Sequence, residues 1–296
     1  MAYRICMSTP PITEVLEFDI AGELPVRRLG FGAMRITGSG VWGEPPDRAA
    51  AIAVVRRAVE LGTTLIDTAD AYGPDVSERL IAEALHPYRV GVVIATKGGL
   101  MRGGPGNWYP NGRPEHLRAA LEGSLERLKL DRIDLYQLHA VDPEVPLEES
   151  VGALAELRRA GKIRHIGLSN VSVQQLMAAQ AIVPIVSVQN RYNLSDRASE
   201  DVLEACERAG IGFIPWFPLA TGKLAQPGGP LDEVARELAV TPSQVALAWL
   251  LSRSRVMLPI PGTASLGHLE ENTRAQGIKL TSAQWQRIDR LASPSA

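Results

Sequence analysis

Cysteine is almost missing from this chain. Cys6 and Cys206 are the two present, and their placement gives neither metal-ligand spacing nor a paired-disulfide framework. Such usage suits a reducing compartment, so cytoplasm is the expected localisation. No run of 18 apolar residues occurs, and no basic start leads into an apolar segment. Neither a membrane span nor a secretory signal is therefore expected. An excess of positive charge is lacking too: 31 Lys+Arg face 33 Asp+Glu, a net charge of -2, which argues against nucleic acid as the main partner. The five histidines are scattered without paired spacing, so no metal site is expected. The glycine fingerprint of doubly wound dinucleotide folds is also absent. Gly30-Phe31-Gly32 has no third glycine and no following helix, while Gly98-Gly99 and Gly103-Gly104 read as loop glycines.

What is present is a large apolar fraction, 45% of 296 residues, enough for a core that needs no disulfide or metal. Residues 1–13 read as a loose leader, and residues 14–296 as one domain with no internal linker, charge block or low-complexity tract. Val15 to Phe18 and Leu24 to Arg27, parted by Ala21-Gly22, form a short N-terminal hairpin, a lid on one end of the core. Strand and helix then alternate. Strand centres fall at Leu29, Leu65, Val92, Ile133, Ile166, Val186, Gly212 and Val256, with helices such as Arg48 to Leu61 and Pro114 to Leu130 between them. Eight such alternations favour an α/β fold of the closed type, a (β/α)8 TIM barrel, over an open doubly wound sheet. Oligomeric state is not legible, because the outer helices of a barrel are apolar for internal packing alone.

In a barrel the C-terminal strand ends meet at one mouth. Those ends read Gly32, Asp67, Lys97, His139, Ser169-Asn170, Gln189, Trp216 and Pro261-Gly262-Thr263. Folding stability alone does not demand polar groups at nearly every one. Tyr72, five residues past Asp67, can donate a proton. Its ordinary pKa of about 10 calls for a cation to support the phenolate. Lys97 supplies that cation, Asp67 neutralises and positions Lys97, and His139 can orient a carbonyl oxygen. Taken singly, each has a structural reading: a salt bridge, a packed loop tyrosine, a satisfied core histidine. At successive strand ends they form a proton-transfer device. Ser169, Asn170 and Gln189 suit a carboxamide, and Trp216 offers a stacking face, or alternatively core packing, so the set describes a nicotinamide pocket. Gly262 and Thr263 precede a helix whose start offers N–H groups to a phosphate. His268, Glu271 and Asn272 would face an adenosine, though that helix also reads as an ordinary polar one. Met34, Trp42, Trp108 and Tyr109 lie on mouth loops as candidate substrate walls or loop anchors.

From about Leu24 to Leu291 the chain resembles the aldo-keto reductases. The marks are Asp67-Thr68-Ala69 with Tyr72-Gly73, Lys97, His139, Gly167-Leu168-Ser169-Asn170, Gln189 to Asn193, Pro218-Leu219, and Ile260 to Thr263 with Glu271-Asn272. The resemblance implies a (β/α)8 barrel and a small-molecule carbonyl as substrate. Tyr72 would be the general acid, Lys97 and Asp67 would tune it, and His139 would bind the carbonyl. Cofactor contacts would come from Ser169, Asn170, Gln189, Trp216, Pro218, Leu219, Gly262, Thr263, His268, Glu271 and Asn272. NADPH is the expected cofactor, with NADH the alternative. Better-known members carry lysine where Gly262 stands and arginine where His268 stands, two charge-assisted contacts that this chain lacks. Trp216 stands where tyrosine is frequent. The chain ends soon after Leu291, which implies an open substrate site, and its wording resembles a bacterial subgroup that includes pyridoxal reductases, so pyridoxal is the named expectation. A non-catalytic nucleotide-binding barrel is the rival, disfavoured by the intact set Asp67, Tyr72, Lys97 and His139.

Overall fold

A computed structural model of the chain describes residues 16–220 and 229–291. The expected leader over residues 1–13 lies outside the described residues. The chain opens with strands β1 (Glu17–Ile20) and β2 (Leu24–Arg27), an antiparallel pair turned through Ala21-Gly22. Strand β3 (Phe31–Gly32) is followed by helix α1 (Arg48–Glu60), which starts where the Asp47 carboxylate accepts from the Ala50 amide at 2.8 Å. Next come β4 (Leu65–Asp67), α2 (Val76–Leu85) and β5 (Val93–Gly98). Strand β5 begins later than the apolar run from Val90 suggests: Val90 is fully exposed in the preceding turn, and the ladder runs on through Lys97.

A second hairpin, β6 (Leu100–Gly104) and β7 (Asn107–Pro110), occupies a segment that its glycines mark as loop. Then follow α3 (Pro114–Leu128), β8 (Ile133–Leu138), α4 (Leu147–Arg159), β9 (Ile163–Ser169), α5 (Val173–Gln180), β10 (Ile185–Gln189), α6 (Glu200–Ala209) and β11 (Gly212–Phe213). Helices α7 (Asp232–Leu238) and α8 (Pro242–Arg253) precede a last extended segment at residues 256–261, after which α9 (Leu266–Arg274) and α10 (Ser282–Leu291) finish the described chain. Both α5 and α8 begin on capping boxes, Ser172 with Gln175 and Thr241 with Gln244.

The sheet is parallel, ordered β11-β10-β9-β8-β5-β4-β3. Residues 256–261 form the eighth stave. The Phe213 amide donates to the Val256 carbonyl and the Leu258 amide to that of Phe213, both at 2.8 Å. On the other side the Gly30 amide donates to Pro259 at 2.9 Å and that of Gly32 to Pro261 at 3.4 Å. These bonds close the (β/α)8 barrel. One core lies between sheet and helices, and a second fills the barrel floor. There Ile20, Leu24 and Val26 of the N-terminal hairpin cover Leu65, Val93, Leu135 and Leu258. The hairpin is thus the lid on the N-terminal end, and the C-terminal strand ends at the opposite mouth stay free for side chains with chemistry.

Candidate active site

Asp67 ends β4, Lys97 sits near the end of β5, and His139 follows β8, so strand register carries all three to the mouth. Tyr72 arrives on the turn into α2. That turn requires Gly73 after it, since Gly73 has φ +103° and a Cβ there would stand 2.4 Å from that of Val76. The four groups meet. Lys97 is fully buried, and its Nζ donates to Asp67 Oδ1 at 2.7 Å, to the Thr68 carbonyl at 2.7 Å and to the Tyr72 hydroxyl at 3.4 Å. The Tyr72 and His139 rings stand edge to face at 5.8 Å.

The electrostatics follow from that geometry. Burial pushes the Tyr72 phenol above its ordinary range, and the Lys97 ammonium pulls it back only in part. Burial works against the Lys97 charge, but Asp67 and Tyr72 together hold its pKa above the usual value. Burial, with the Lys97 charge adding to it, drives the His139 imidazole well below its usual range, so the ring is neutral. His139 Nδ1 is buried without a hydrogen-bond partner.

Gln137 is a member of this cluster that sequence reasoning missed. It lies two residues before His139 on β8, so both share the inner face. Asp67 Oδ2 accepts from Gln189 Nε2 at 2.8 Å and from Gln137 Nε2 at 3.2 Å. Two amides thus hold the carboxylate on the side away from Lys97. That engagement commits the Gln189 amide nitrogen to Asp67 and leaves its carbonyl oxygen for a ligand.

Ser169, Asn170 and Trp216 adjoin the cluster and are knitted together. The Ser169 hydroxyl donates to the Gln189 main-chain carbonyl at 2.9 Å. Asn170, at φ +58°, donates from Nδ2 to the His139 carbonyl at 3.1 Å and to Ser169 Oγ at 3.0 Å. Its Oδ1 accepts from Trp216 Nε1 at 3.0 Å, which turns the half-exposed indole edge toward the carboxamide-type groups. Pro218 and Leu219 follow Trp216 on the same connection, buried and half-buried.

Gly262 and Thr263 lie apart, after the eighth stave and beside β3. A Cβ at Gly262 would sit 2.6 Å from the Gly32 carbonyl oxygen, so a lysine does not fit on this backbone. Thr263 Oγ1 accepts from the Ser265 amide at 3.0 Å, and Ser265 Oγ caps α9 by accepting from the His268 amide at 3.4 Å. The His268 side chain is exposed and Asn272 is buried. The Glu271 carboxylate accepts from the Thr241 hydroxyl at 2.6 Å, which ties α9 to the start of α8.

Of the four wall candidates, Met34 is half-buried and Trp42 is 36% exposed on the β3–α1 connection. Trp108 belongs to β7 and meets Tyr72 edge to face at 6.4 Å, whereas Tyr109 alternates to the other side of the hairpin and is 44% exposed. Arg102, which sequence reasoning passed over, lies between Trp42 and Trp108. Among the described residues, no cluster of His, Cys, Asp or Glu could hold a metal ion, and no helix is long and apolar enough to cross a membrane.

The family model for the aldo/keto reductase family matches residues 28–293. The chain belongs to the aldo/keto reductase family. It is an oxidoreductase on that ground. Among curated aldo/keto reductases and their kin, an uncharacterized oxidoreductase of Schizosaccharomyces pombe is 52% identical over 268 residues, covering 90% of this chain and 87% of that protein. Pyridoxine 4-dehydrogenase of Escherichia coli is 43% identical over 277 residues, covering 92% and 96%. An aldo-keto reductase from Klebsiella pneumoniae solved in complex with NADPH has a TM-score of 0.82 at 27% identity, with 98% of each chain covered.

Proposed function

We propose that this aldo/keto reductase transfers hydride between NADPH and a small carbonyl compound, with Tyr72 as the general acid and pyridoxal as the physiological substrate. The observation that carries the catalytic part is the Tyr72 hydroxyl 3.4 Å from an ammonium that is itself bound to Asp67. The donor set fits a nicotinamide: the Ser169 hydroxyl, the Asn170 and Gln189 amides and the Trp216 indole adjoin one another beside His139. Thr263 ahead of α9, and His268, Glu271 and Asn272 along it, would receive the adenosine end, with Gly262 giving a close backbone approach. When bound, the nicotinamide supplies the hydride for reduction or accepts it in reverse.

The protein's own groups do the rest. Neutral His139 and protonated Tyr72 orient the substrate carbonyl oxygen by hydrogen bonding. The Tyr72 hydroxyl gives its proton to the oxygen as the alcohol forms, and Lys97 stabilises the phenolate left behind. Asp67, gripped by Gln137 and Gln189, fixes the ammonium. In the alcohol-to-carbonyl direction the phenolate is the base. Pyridoxal is favoured among substrates by the 43% identity to a pyridoxine 4-dehydrogenase over nearly the full length of both chains.

A panel of carbonyl substrates including pyridoxal, run in parallel with NADPH and NADH, tests the reading, with pyridoxine as the reverse substrate. NADPH oxidation with pyridoxal is expected, and Tyr72→Phe should lower kcat roughly 10²–10⁴-fold, the contribution of a positioned general acid, while cofactor binding is kept. Brisk turnover of other carbonyls without pyridoxal removes the named substrate. Equal turnover with NADH removes the cofactor preference, and an active Tyr72→Phe protein removes the acid.

A further inference from the structure

Arg102 is 9% exposed on β6, yet no carboxylate pairs with it among the described residues. Four backbone carbonyls from three separate segments hold its fork instead. Nη1 donates to Val41 at 2.6 Å and to Ala71 at 3.2 Å, and Nη2 to Gly40 at 3.0 Å and Gly104 at 3.3 Å. The guanidinium lies 3.5 Å from the ring centre of Trp108 and 5.4 Å from that of Trp42. Burial lowers its pKa, with no opposing acid. A half-buried indole on one face and a carbonyl cage on the edges are an unusual setting for a cation, which ordinarily meets a carboxylate when taken out of water.

Each contact leads to the mouth. Val41 has φ +57°, a conformation that a β-branched residue adopts only under constraint, and its carbonyl is the one Arg102 grips most closely. Trp42, next in the chain, bridges to Gly73, and the Gly43 amide donates to the Gly73 carbonyl at 2.6 Å. Ala71 immediately precedes Tyr72. Trp108, clamped against the guanidinium, stands at 83° to the Tyr72 ring. One side chain therefore joins the β3–α1 connection, the turn bearing Tyr72 and the β6–β7 hairpin.

We infer that Arg102 is a positioning residue that sets specificity for flat ring carbonyls, by holding Trp108 as a wall beside Tyr72. This rests on the carbonyl-reductase reading above. A ring substrate that reaches the Tyr72 hydroxyl is aligned against that wall, whereas a small aliphatic aldehyde reaches the phenol without it. Lysine is no substitute, since a single ammonium cannot span four carbonyls and stack on an indole.

The test compares wild type with Arg102→Met, Arg102→Lys, Trp108→Ala and the Arg102→Met/Trp108→Ala double variant. Kinetics are measured on two ring aldehydes, pyridoxal and benzaldehyde, and on propanal, with NADPH affinity from fluorescence titration. Arg102→Met should raise KM for ring aldehydes about tenfold or more, as loss of charge-assisted contacts does, with kcat and the propanal KM changed less than about threefold. NADPH affinity should hold, Arg102→Lys should not rescue, and the double variant should be no worse than Trp108→Ala, because both act through one wall. Equal KM increases for propanal and ring aldehydes, additive losses, rescue by lysine, or weakened NADPH binding would each overturn the inference. Hydrogen–deuterium exchange over residues 38–43 and 100–110 gives a readout that needs no turnover. It should rise in both stable Arg102 variants, and an unchanged pattern refutes the clamp. A wild type that reduces no carbonyl sinks the reductase reading instead, while exchange still decides whether Arg102 joins these segments.

Discussion

At the scale of single residues, the candidate site places one charge pair where water cannot reach it. Lys97 and Asp67 are 0% and 1% exposed, so removing one partner strands the other. Lys97→Met should cost about 3–5 kcal/mol of stability, the usual loss on breaking a buried pair, and abolish most turnover. Adding Asp67→Asn should restore much of the stability but none of the activity, measured by urea denaturation beside kcat. Recovery of both together would show that the pair serves folding alone. The pH profile is a second residue-scale prediction. Burial raises Tyr72, so the proton-bearing form persists through neutrality, and His139 is already neutral above its depressed pKa. Carbonyl reduction under kcat/KM conditions should therefore stay flat from about pH 7 to about pH 10, the ordinary tyrosine value, and fall only beyond it. Alcohol oxidation, which in the proposed mechanism uses the phenolate, should climb over the same range. An alkaline limb for reduction near pH 8 would assign the proton to another group.

Secondary-structure elements decide how the proposed cofactor end would be met. The nine-residue helix α9 points its capped N-terminus, Ser265 with His268, out of the eighth stave, and its first turn carries no basic side chain but His268. A charged group introduced there would add to the positive end of the helix dipole. His268→Arg should raise the NADPH-to-NADH ratio of kcat/KM about tenfold, the size of one charge-assisted hydrogen bond to phosphate. Gly262→Lys should fail to do so and should lower thermal stability, since its Cβ would be driven against the Gly32 carbonyl. A specificity gain from Gly262→Lys with unchanged melting would mean that the β3 edge yields more readily than its contacts suggest. The β6–β7 hairpin makes the complementary point. Gly103, Gly104 and Gly106 disguise it as loop, and only the alternation of Arg102 and Trp108 against Met101 and Tyr109 betrays two strands.

For the molecule as a whole, the alternation of strand and helix was legible, because apolar strands between capped helices leave local marks. Ile133, which the sequence marks as a strand position, lies in β8 (Ile133–Leu138). The first, seventh and eighth staves were legible as apolar centres but not as ladders, since they pair over very short stretches near glycine and proline. Asp67, Lys97 and His139 stood out as polar groups ending apolar runs. Gln137 did not, being one amide inside such a run, and Arg102 did not, because carbonyls distant in the chain leave no local pattern. Arg28 shares that invisibility and governs how the barrel shuts. It is 2% exposed at the entry to the first stave. Its Nη2 donates to the Leu251 carbonyl at 2.5 Å and to that of Ser254, and its Nε to Met257 at 3.3 Å. Burial brings its pKa down to about 10, so the guanidinium is still charged at neutrality. Leu251 and Ser254 lie at the C-terminus of α8, where a cation is favoured, and Met257 is in the eighth stave. The charge therefore joins last stave to first. Arg28→Met would leave buried carbonyls with a partner removed, a loss of about 3 kcal/mol or more. The neighbouring Arg27→Met removes only an exposed ion pair with Glu17 at 3.8 Å and should stay within about 1 kcal/mol of wild type. Chemical denaturation of the two variants side by side distinguishes a seam from a surface charge: equal midpoints would mean that the barrel closes on its backbone ladder alone, whereas a large gap confined to Arg28→Met makes one buried guanidinium the fastener of the eighth stave and, through residues 256–263, of the segment that leads into α9.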